Sequence, residues 1–452
     1  MTKYNTRIFF LFLFAHLLIW TLVPALSNKN LPLDTIEALA WGSNMDWGFN
    51  KHPPLSALSV EIFHQVFGSQ DWAYYLLAQI YITLTFFVIW SFSKDFLKNE
   101  THRMISVLLL GGIYFYNYTT PEFNVYVCAT PFWSLTIFYC WKGFRDNRSI
   151  DWLLFGVFAA LGTLSHYLFL YLLLAISVFL LYTIIKNKTD LKCLSSLFAF
   201  FLILTPHLIW LSENNYITLT YGLHRTGLAE PNFLNHIKNP VIFLAKQIGI
   251  VLPLLLMFTV IISKFKTKIN FKDDKLLFLV TVNLLPLISI FITSVLMGIK
   301  IRTMWMTPFY IYMGVMLVYI FQKYINLKKI KKFLIFFVII FILSPSIYLY
   351  VSLSQVNKRT DYPGKEIANL VQSRWDKNFN NDIGFVVGDE WFGGNLSYHL
   401  ESRPKWFNKF DPKLIKSSKG VVYTGNAEVL KSVCPGVFGK IKFQGICMIG
   451  SR

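Results

Sequence analysis

Long apolar runs separated by short polar loops dominate this chain. Uncharged stretches of about twenty residues recur, and that is the length an α-helix needs to cross roughly 30 Å of hydrocarbon. The pattern predicts about eleven such helices, over 7–26, 71–93, 104–117, 125–141, 151–164, 167–185, 193–211, 242–263, 276–297, 304–322 and 333–353. The third and fifth are short for a span. The first run, "MTKYNTRIFFLFLFAHLLIWTLVPAL", has a brief basic start like that of a secretory signal. It shows no small-residue cleavage site and is long enough to span, so it reads as a retained first helix.

Beyond 353 the long apolar runs stop. Strand-like "DIGFVV", a Gly-rich turn "WFGGN" and helical "LSYHLES" follow, then short strand patterns in "GVVYTG" and "GKIKFQGICMIG". The fold class expected is an all-α polytopic membrane protein with a small C-terminal α/β domain. The domain boundary falls between 1–353 and 354–452. No internal repeat or low-complexity segment interrupts the chain.

Charge then sets an orientation. The 452 residues are 54% hydrophobic and carry a formal net charge of +19. A basic balance of this size raises nucleic acid as a partner. Its positive charges, however, cluster in alternate loops between apolar runs: "SKDFLKNETHR", "KGFRDNRS", "KNKTDLK", "SKFKTKINFKDDK" and "QKYINLKKIKK". The intervening loops carry few or none, so membrane lipids and not nucleic acid are the expected surroundings. Lys/Arg-rich loops stay in the cytoplasm, which places the N-terminus there. With an odd number of spans, residues 27–70, the long loop 212–241 and the tail lie outside. Of the five cysteines, Cys128, Cys140 and Cys193 fall in or near apolar segments and read as packing residues. Cys434 and Cys447 lie in the tail, where a disulfide is permitted.

The first outside loop holds the chemistry. In "DTIEALAWG", Asp34 and Glu37 are spaced i, i+3, which puts both carboxylates on one helix face. The structural alternative is that Asp34 caps the helix and Glu37 is solvated. The apolar flank Ala38–Trp41 favours a face tucked against membrane or protein, where ionisable groups are costly and tend to be functional. In "KHPPL", two prolines stiffen the turn that carries Lys51 and His52, presenting charge and donors to an anionic headgroup. The alternative for Lys51 is an interfacial lysine reaching for phosphate. "SALSVEIFHQVFG" then reads as an amphipathic helix along the interface.

Asp-x-x-Glu, Trp-Gly, the acidic-Trp-Gly step at Asp46 and Lys-His-Pro-Pro-Leu together resemble the first extracytoplasmic loop of polyprenyl-phosphate-dependent glycosyltransferases. These are the GT-C-fold enzymes of the bacterial branch of the protein O-mannosyltransferase superfamily, with lipid A aminoarabinose transferases and lipopolysaccharide galacturonosyltransferases among them. "EFNVYVCATPFWSLTIFYCW" resembles the family's Asn-containing loop leading into a Pro-x-Trp helix. "TPHLIWLSENNYITLTYGLHRTG" resembles its Pro-His-x-x-Trp-Leu segment, and "IRTMWMTPFY" its late Arg-then-Pro helix start. The likeness runs in order through roughly the first 320 residues. It departs at "LSHYLFL", where His166 stands in place of an expected lysine, and the tail matches no motif.

The resemblance implies an inner-membrane enzyme that moves a monosaccharide from a polyprenyl-phosphate donor to a periplasmic acceptor, most simply lipid A, lipopolysaccharide or another glycan. Asp34 would be the base, with Glu37 as its catalytic partner. Lys51, His52, Arg302 and Arg225 would meet the donor phosphate. Asp46, Glu122, Asn124 and His224 would meet acceptor or sugar, the loop around His224 and Arg225 closing as a lid. Snorkelling for Arg302, an ordinary solvated loop for Arg225 and His224, and loop capping for Glu122 and Asn124 are the structural alternatives. His166 and His207 at helix ends read as structural. No cofactor is required. A divalent metal fits beside His52, Asp34 and Glu37, but no spacing compels one. A protein O-glycosyltransferase of the same fold is the nearest alternative. A transporter lacks the repeats and mid-membrane charges it would need, and a scaffold for envelope glycan assembly would tolerate loss of Asp34 and Lys51.

Overall fold

A computed structural model of the chain describes residues 2–227, 232–265, 269–409 and 418–451. Parts of the expected outside loop 212–241 and of the basic loop 263–275 lie outside the described residues. The chain opens with α1 (Thr2–Ser27), then two short helices of the first loop, α2 (Leu33–Gly42) and α3 (Leu55–Phe67). The next helices are α4 (Asp71–Phe96), α5 (Glu100–Leu108), α6 (Val125–Asp146), α7 (Ser149–Ser165) and α8 (Phe169–Ile185). After them come α9 (Ser195–Glu213), α10 (Ile217–Arg225), α11 (Asn235–Ile261), α12 (Asp274–Met297), α13 (Met313–Phe321) and α14 (Ile330–Ser354).

All eleven segments read as spans contain helix, but they do not all cross alone. Among the described residues six helices are long and apolar enough to do so. A seventh is a bent pair, Thr303–Tyr310 and Met313–Tyr324, which turns by 48° at its break. The segment expected over 104–117 is not one helix. It leaves α-geometry after Leu108 and continues as short 3-10 turns. The cause is the pair Gly111–Gly112, poor helix formers. A Cβ on Gly112 would sit 2.7 Å from the backbone of Leu254, so the glycine lets α11 approach closely.

After α14 comes α15 (Gly364–Asp376), followed by β1 (Ile383–Val387), α16 (Phe392–His399) and β2 (Lys405–Phe407). The chain closes with β3 (Gly420–Gly425), β4 (Val437–Ile441) and β5 (Gln444–Ile449). The sheet order is β2-β1-β3-β5-β4. β1 runs parallel to both neighbours, while β5 runs antiparallel to β3 and β4. Cys434 and Cys447 form a disulfide, and the other three cysteines are free and buried. The small unit has its own core, with Ile367, Val371, Trp375, Val386, Val422 and Met448 buried together.

The "WFGGN" segment read as a turn is instead the start of α16. Its glycines serve contact and not reversal. A Cβ on Gly394 would meet Ile36 at 3.0 Å and Ala40 at 3.1 Å, so the glycine allows α16 to lie against α2. Further along the same seam Trp406 packs with Ala40, Trp41, Phe49 and Ala57. Polar bonds fasten it: Trp406 N–H donates to Ser43 Oγ at 2.9 Å, and Asn44 Nδ2 donates to Trp406 O at 2.7 Å. Arg403 Nη2 donates at 2.6 Å both to Leu39 O and to Glu61 Oε2, a pairing only 15% and 7% exposed. The tail therefore grips the first loop and holds its two helices in place.

Candidate active site

α2 begins after Pro32, with Asp34 in its first turn. No side chain of α2 caps this start, so Asp34 is not the capping residue of the structural alternative. The donor at this end is met from another loop, since Asp34 N–H donates to Glu122 Oε1 at 3.1 Å. Thr35 Oγ1 fastens the same two segments by donating to Phe123 O at 3.1 Å. Glu122 therefore lies against the helix start, and its carboxyl is a close neighbour of Asp34's.

These groups border a cavity of about 490 Å³ lined by α2, the Lys-His-Pro-Pro turn, the α7–α8 junction, α10 and the segment before α13. Six of the residues picked out from sequence line it: Asp34, Glu37, Lys51, His52, Arg225 and Arg302. The other four do not. Asp46 is exposed and accepts from the Trp47 N–H. Asn124 is the N-cap of α6, its Oδ1 accepting from Tyr126 and Val127 N–H at 3.0 Å. His224 is exposed on α10, and Glu122 stands behind Asp34. His207 is structural as expected. Its Nδ1 lies 2.6 Å from Trp47 O and its Nε2 2.8 Å from Tyr167 Oη, so the ring donates at one nitrogen and accepts at the other.

Burial dominates the electrostatics. It lifts the Asp34 carboxyl to about 7, with the Glu122 charge adding to the rise and Lys51, Arg359 and Arg225 opposing it. Glu122 is raised by burial as well, so the two titrate as a pair. Glu37 is raised by burial against the pull of Lys51. Lys51 is held above its ordinary range by Glu37 and Glu390, which outweigh its own burial. Its Nζ lies 3.0 Å from Glu37 Oε1 and 3.2 Å from Glu390 Oε2. By contrast, neither Arg225 nor Arg302 makes a side-chain hydrogen bond or ion pair among the described residues.

Two imidazoles complete the polar wall. The rings of His52 and His166 have centroids 5.8 Å apart, and Tyr126 lies 4.9 Å from His166. Burial pushes His52 well below its ordinary range and His166 down to about 3, so both are neutral at pH 7. Leu168 N–H donates to His166 Nδ1 at 3.2 Å, which leaves Nε2–H as that ring's donor. His166 is thus a cavity residue as well as a helix-end one. Leu219, Leu223, Met297, Ile299, Met304 and Trp305 form the apolar wall. Among the described residues no group of three His, Cys, Asp or Glu side chains is placed to hold a metal ion. Chemically, the cavity wall combines a carboxylate of raised basicity with two guanidinium groups that make no side-chain hydrogen bond or ion pair among the described residues, beside an apolar flank.

A family model described as dolichyl-phosphate-mannose-protein mannosyltransferase matches residues 51–210. That match contains the Lys-His-Pro-Pro turn and the Pro-His-x-x-Trp segment, and it begins after Asp34 and Glu37. Among curated proteins none matches the chain. The structure of ArnT from Cupriavidus metallidurans bound to undecaprenyl phosphate superposes with a TM-score of 0.66 at 12% identity, covering 99% of this chain and 100% of that one. Its apo form superposes with a TM-score of 0.62 at the same identity, covering 99% of each chain. The chain therefore has the GT-C fold, and the resemblance read from its loop motifs is borne out.

Proposed function

We propose that this chain is an inner-membrane glycosyltransferase that moves a monosaccharide from a polyprenyl-phosphate donor to a periplasmic-side acceptor, with lipid A, lipopolysaccharide or another glycan favoured over protein. The observation that carries the reading is the cavity, whose wall holds Asp34 together with Arg225 and Arg302. The donor phosphate sits at the two arginines, which make no side-chain hydrogen bond or ion pair among the described residues, and its lipid tail leaves along the apolar wall. Asp34 takes the proton from the acceptor hydroxyl or amine as that atom attacks the anomeric carbon. The bond from that carbon to the phosphate oxygen breaks on the opposite face, and lipid phosphate leaves with inversion. A base is most effective when its pKa lies near the working pH, and general-base catalysis typically contributes about 10²–10⁴-fold. The cations stabilise the charge that grows on the phosphate. His52 and His166, neutral in this wall, offer hydrogen bonds to the sugar.

The orientation follows the basic loops, with the N-terminus cytoplasmic and residues 354–452 periplasmic. A disulfide between Cys434 and Cys447 suits that oxidising side. In this reading residues 1–353 form the catalytic membrane domain and the tail a domain seated on its first loop.

Mass spectrometry of lipid A, lipopolysaccharide and periplasmic glycoproteins from cells lacking the gene tests the reading. One sugar mass should vanish, return with the wild-type gene and stay absent with Asp34→Asn. Full rescue by Asp34→Asn would sink the assignment of the base, and an unchanged set of glycans would sink the activity.

A further inference from the structure

Lys51 differs from the two arginines of the cavity because its charge is already taken. It is held by Glu37 on its own loop and by Glu390 from the tail. Glu390 follows β1, at the carboxyl end of a strand with parallel neighbours on both sides. In sheets of this kind ligands gather at that end. The loop is firmly set. Asp389 Oδ1 accepts the Phe392 N–H that opens α16, and Glu390 Oε1 accepts from Asn50 Nδ2 at 3.3 Å. Glu390 thus touches two consecutive residues of the first loop. One ammonium stands against two carboxylates, a net charge of −1, on side chains 19%, 13% and 14% exposed.

A pairing of that sign opposes an incoming phosphate. One carboxylate would be enough to hold Lys51, and Glu37 alone does that at 3.0 Å. The second, contributed from the far end of the chain, adds repulsion toward the ligand. It also gives Lys51 somewhere to return.

We propose that Glu390 is a positioning residue that competes with the lipid phosphate for Lys51, holding the ammonium while the cavity is empty, yielding it to the donor and reclaiming it as the lipid phosphate departs. The proposal rests on the reading of the cavity as a lipid-phosphate site. It makes the tail part of the turnover cycle, since Glu390 keeps the product from binding too tightly. Glu390→Gln keeps the shape, leaves Lys51 on Glu37 and neutralises the trio. Removing one like charge from a partly exposed site is worth a few-fold, so undecaprenyl phosphate should bind about fivefold tighter. KM for the donor should fall and kcat should fall with it, because release slows. A residue that only packed the tail against the loop would, when lost, weaken binding and raise KM.

The test measures binding of undecaprenyl phosphate, with undecaprenol as the uncharged control, to the full-length protein in nanodiscs. Tighter phosphate binding by Glu390→Gln, with undecaprenol binding unchanged, supports the inference. Asn50→Ala removes the neighbouring hydrogen bond but keeps both charges, so it should leave phosphate binding within about twofold of wild type. Equal or weaker phosphate binding by Glu390→Gln overturns the inference while leaving the anion site standing. Wild-type protein that binds the phosphate no better than undecaprenol overturns the anion site, and this inference with it.

Discussion

Replacing Glu122 with glutamine tests whether Asp34 is the base. Burial and the Glu122 charge set the Asp34 carboxyl at about 7, with Lys51, Arg359 and Arg225 pulling the other way. A carboxylate base works only when ionised, so the rate is present above this pKa and lost as pH falls through it. With a midpoint at 7 the ionised fraction is about 9% at pH 6 and about 91% at pH 8, a roughly tenfold rise in rate across that window. Glutamine at 122 keeps an oxygen for the Asp34 N–H but removes the like charge. Such a neighbour moves a carboxylate by about one unit or more. The midpoint should then fall to about 6, which raises the pH 6 rate about fivefold and leaves the pH 8 rate nearly unchanged. The assay is the initial rate of sugar transfer in nanodiscs at donor well below KM, so that it reads kcat/KM and the ionisation of the empty cavity, with the acceptor found by mass comparison. Because the two carboxyls titrate together, the acid limb belongs to the pair, and the variant isolates Asp34's share. A profile flat between pH 6 and 8, or an acid limb that Glu122→Gln moves upward, would refute the reasoning.

Three further outcomes follow from the contacts. Arg403→Met strands the buried Glu61 carboxylate, so thermal unfolding in detergent should show a loss of about 3–5 kcal/mol, most of it regained when Glu61→Met is added. If the double variant is no better than the single, the pair is not what fastens the tail. Arg225→Ala and Arg302→Ala should each weaken undecaprenyl phosphate binding by about 10–100-fold, the worth of a hydrogen bond to a charged group, and Lys51→Ala by less, since its charge is already shared. A titration in which Lys51→Ala costs more than either arginine would reverse that ranking. Cys434→Ser should destabilise the protein by about 3 kcal/mol, because the bridge closes a short loop of separation 13. Alkylation without reductant should leave Cys434 and Cys447 unlabelled in the wild-type chain, and labelling of both would exclude the pairing.

Much of this was legible because the informative residues are close in sequence. Asp34, Glu37, Lys51 and His52 share one short loop, so spacing and two prolines were enough to place them together. Arg225 and Arg302 came from the family resemblance. Their meeting across the cavity depends on how α10 and the segment before α13 converge, which no local pattern encodes. Asn124 shows the opposite failure. An amide beside a helix start reads equally as ligand or cap, and its oxygen is spent on two backbone donors. Glycine misled twice for one reason. At Gly111–Gly112 the hydropathy was continuous while the helix was not, and at Gly393–Gly394 a turn signal marked a helix. In both places the missing side chain answers to a distant helix, α11 or α2. Glu390 carried no signal at all, because nothing in the tail's sequence tells which loop its sheet will face.

The grip of the tail on the first loop also has a consequence in time. Asn50 and Glu390 are 340 positions apart, and Glu61 and Arg403 are 342 apart. At about 5–20 residues per second, a ribosome needs roughly 17–70 s to make the second partner after the first. Throughout that interval the loop bearing Asp34 and Lys51 is already made and lacks the surface that will set it. A chain halted before Glu390 can insert the same helices and still lack the contacts that fasten the first loop. The first loop is therefore fastened only among the last events of synthesis, after the helices around it have been made.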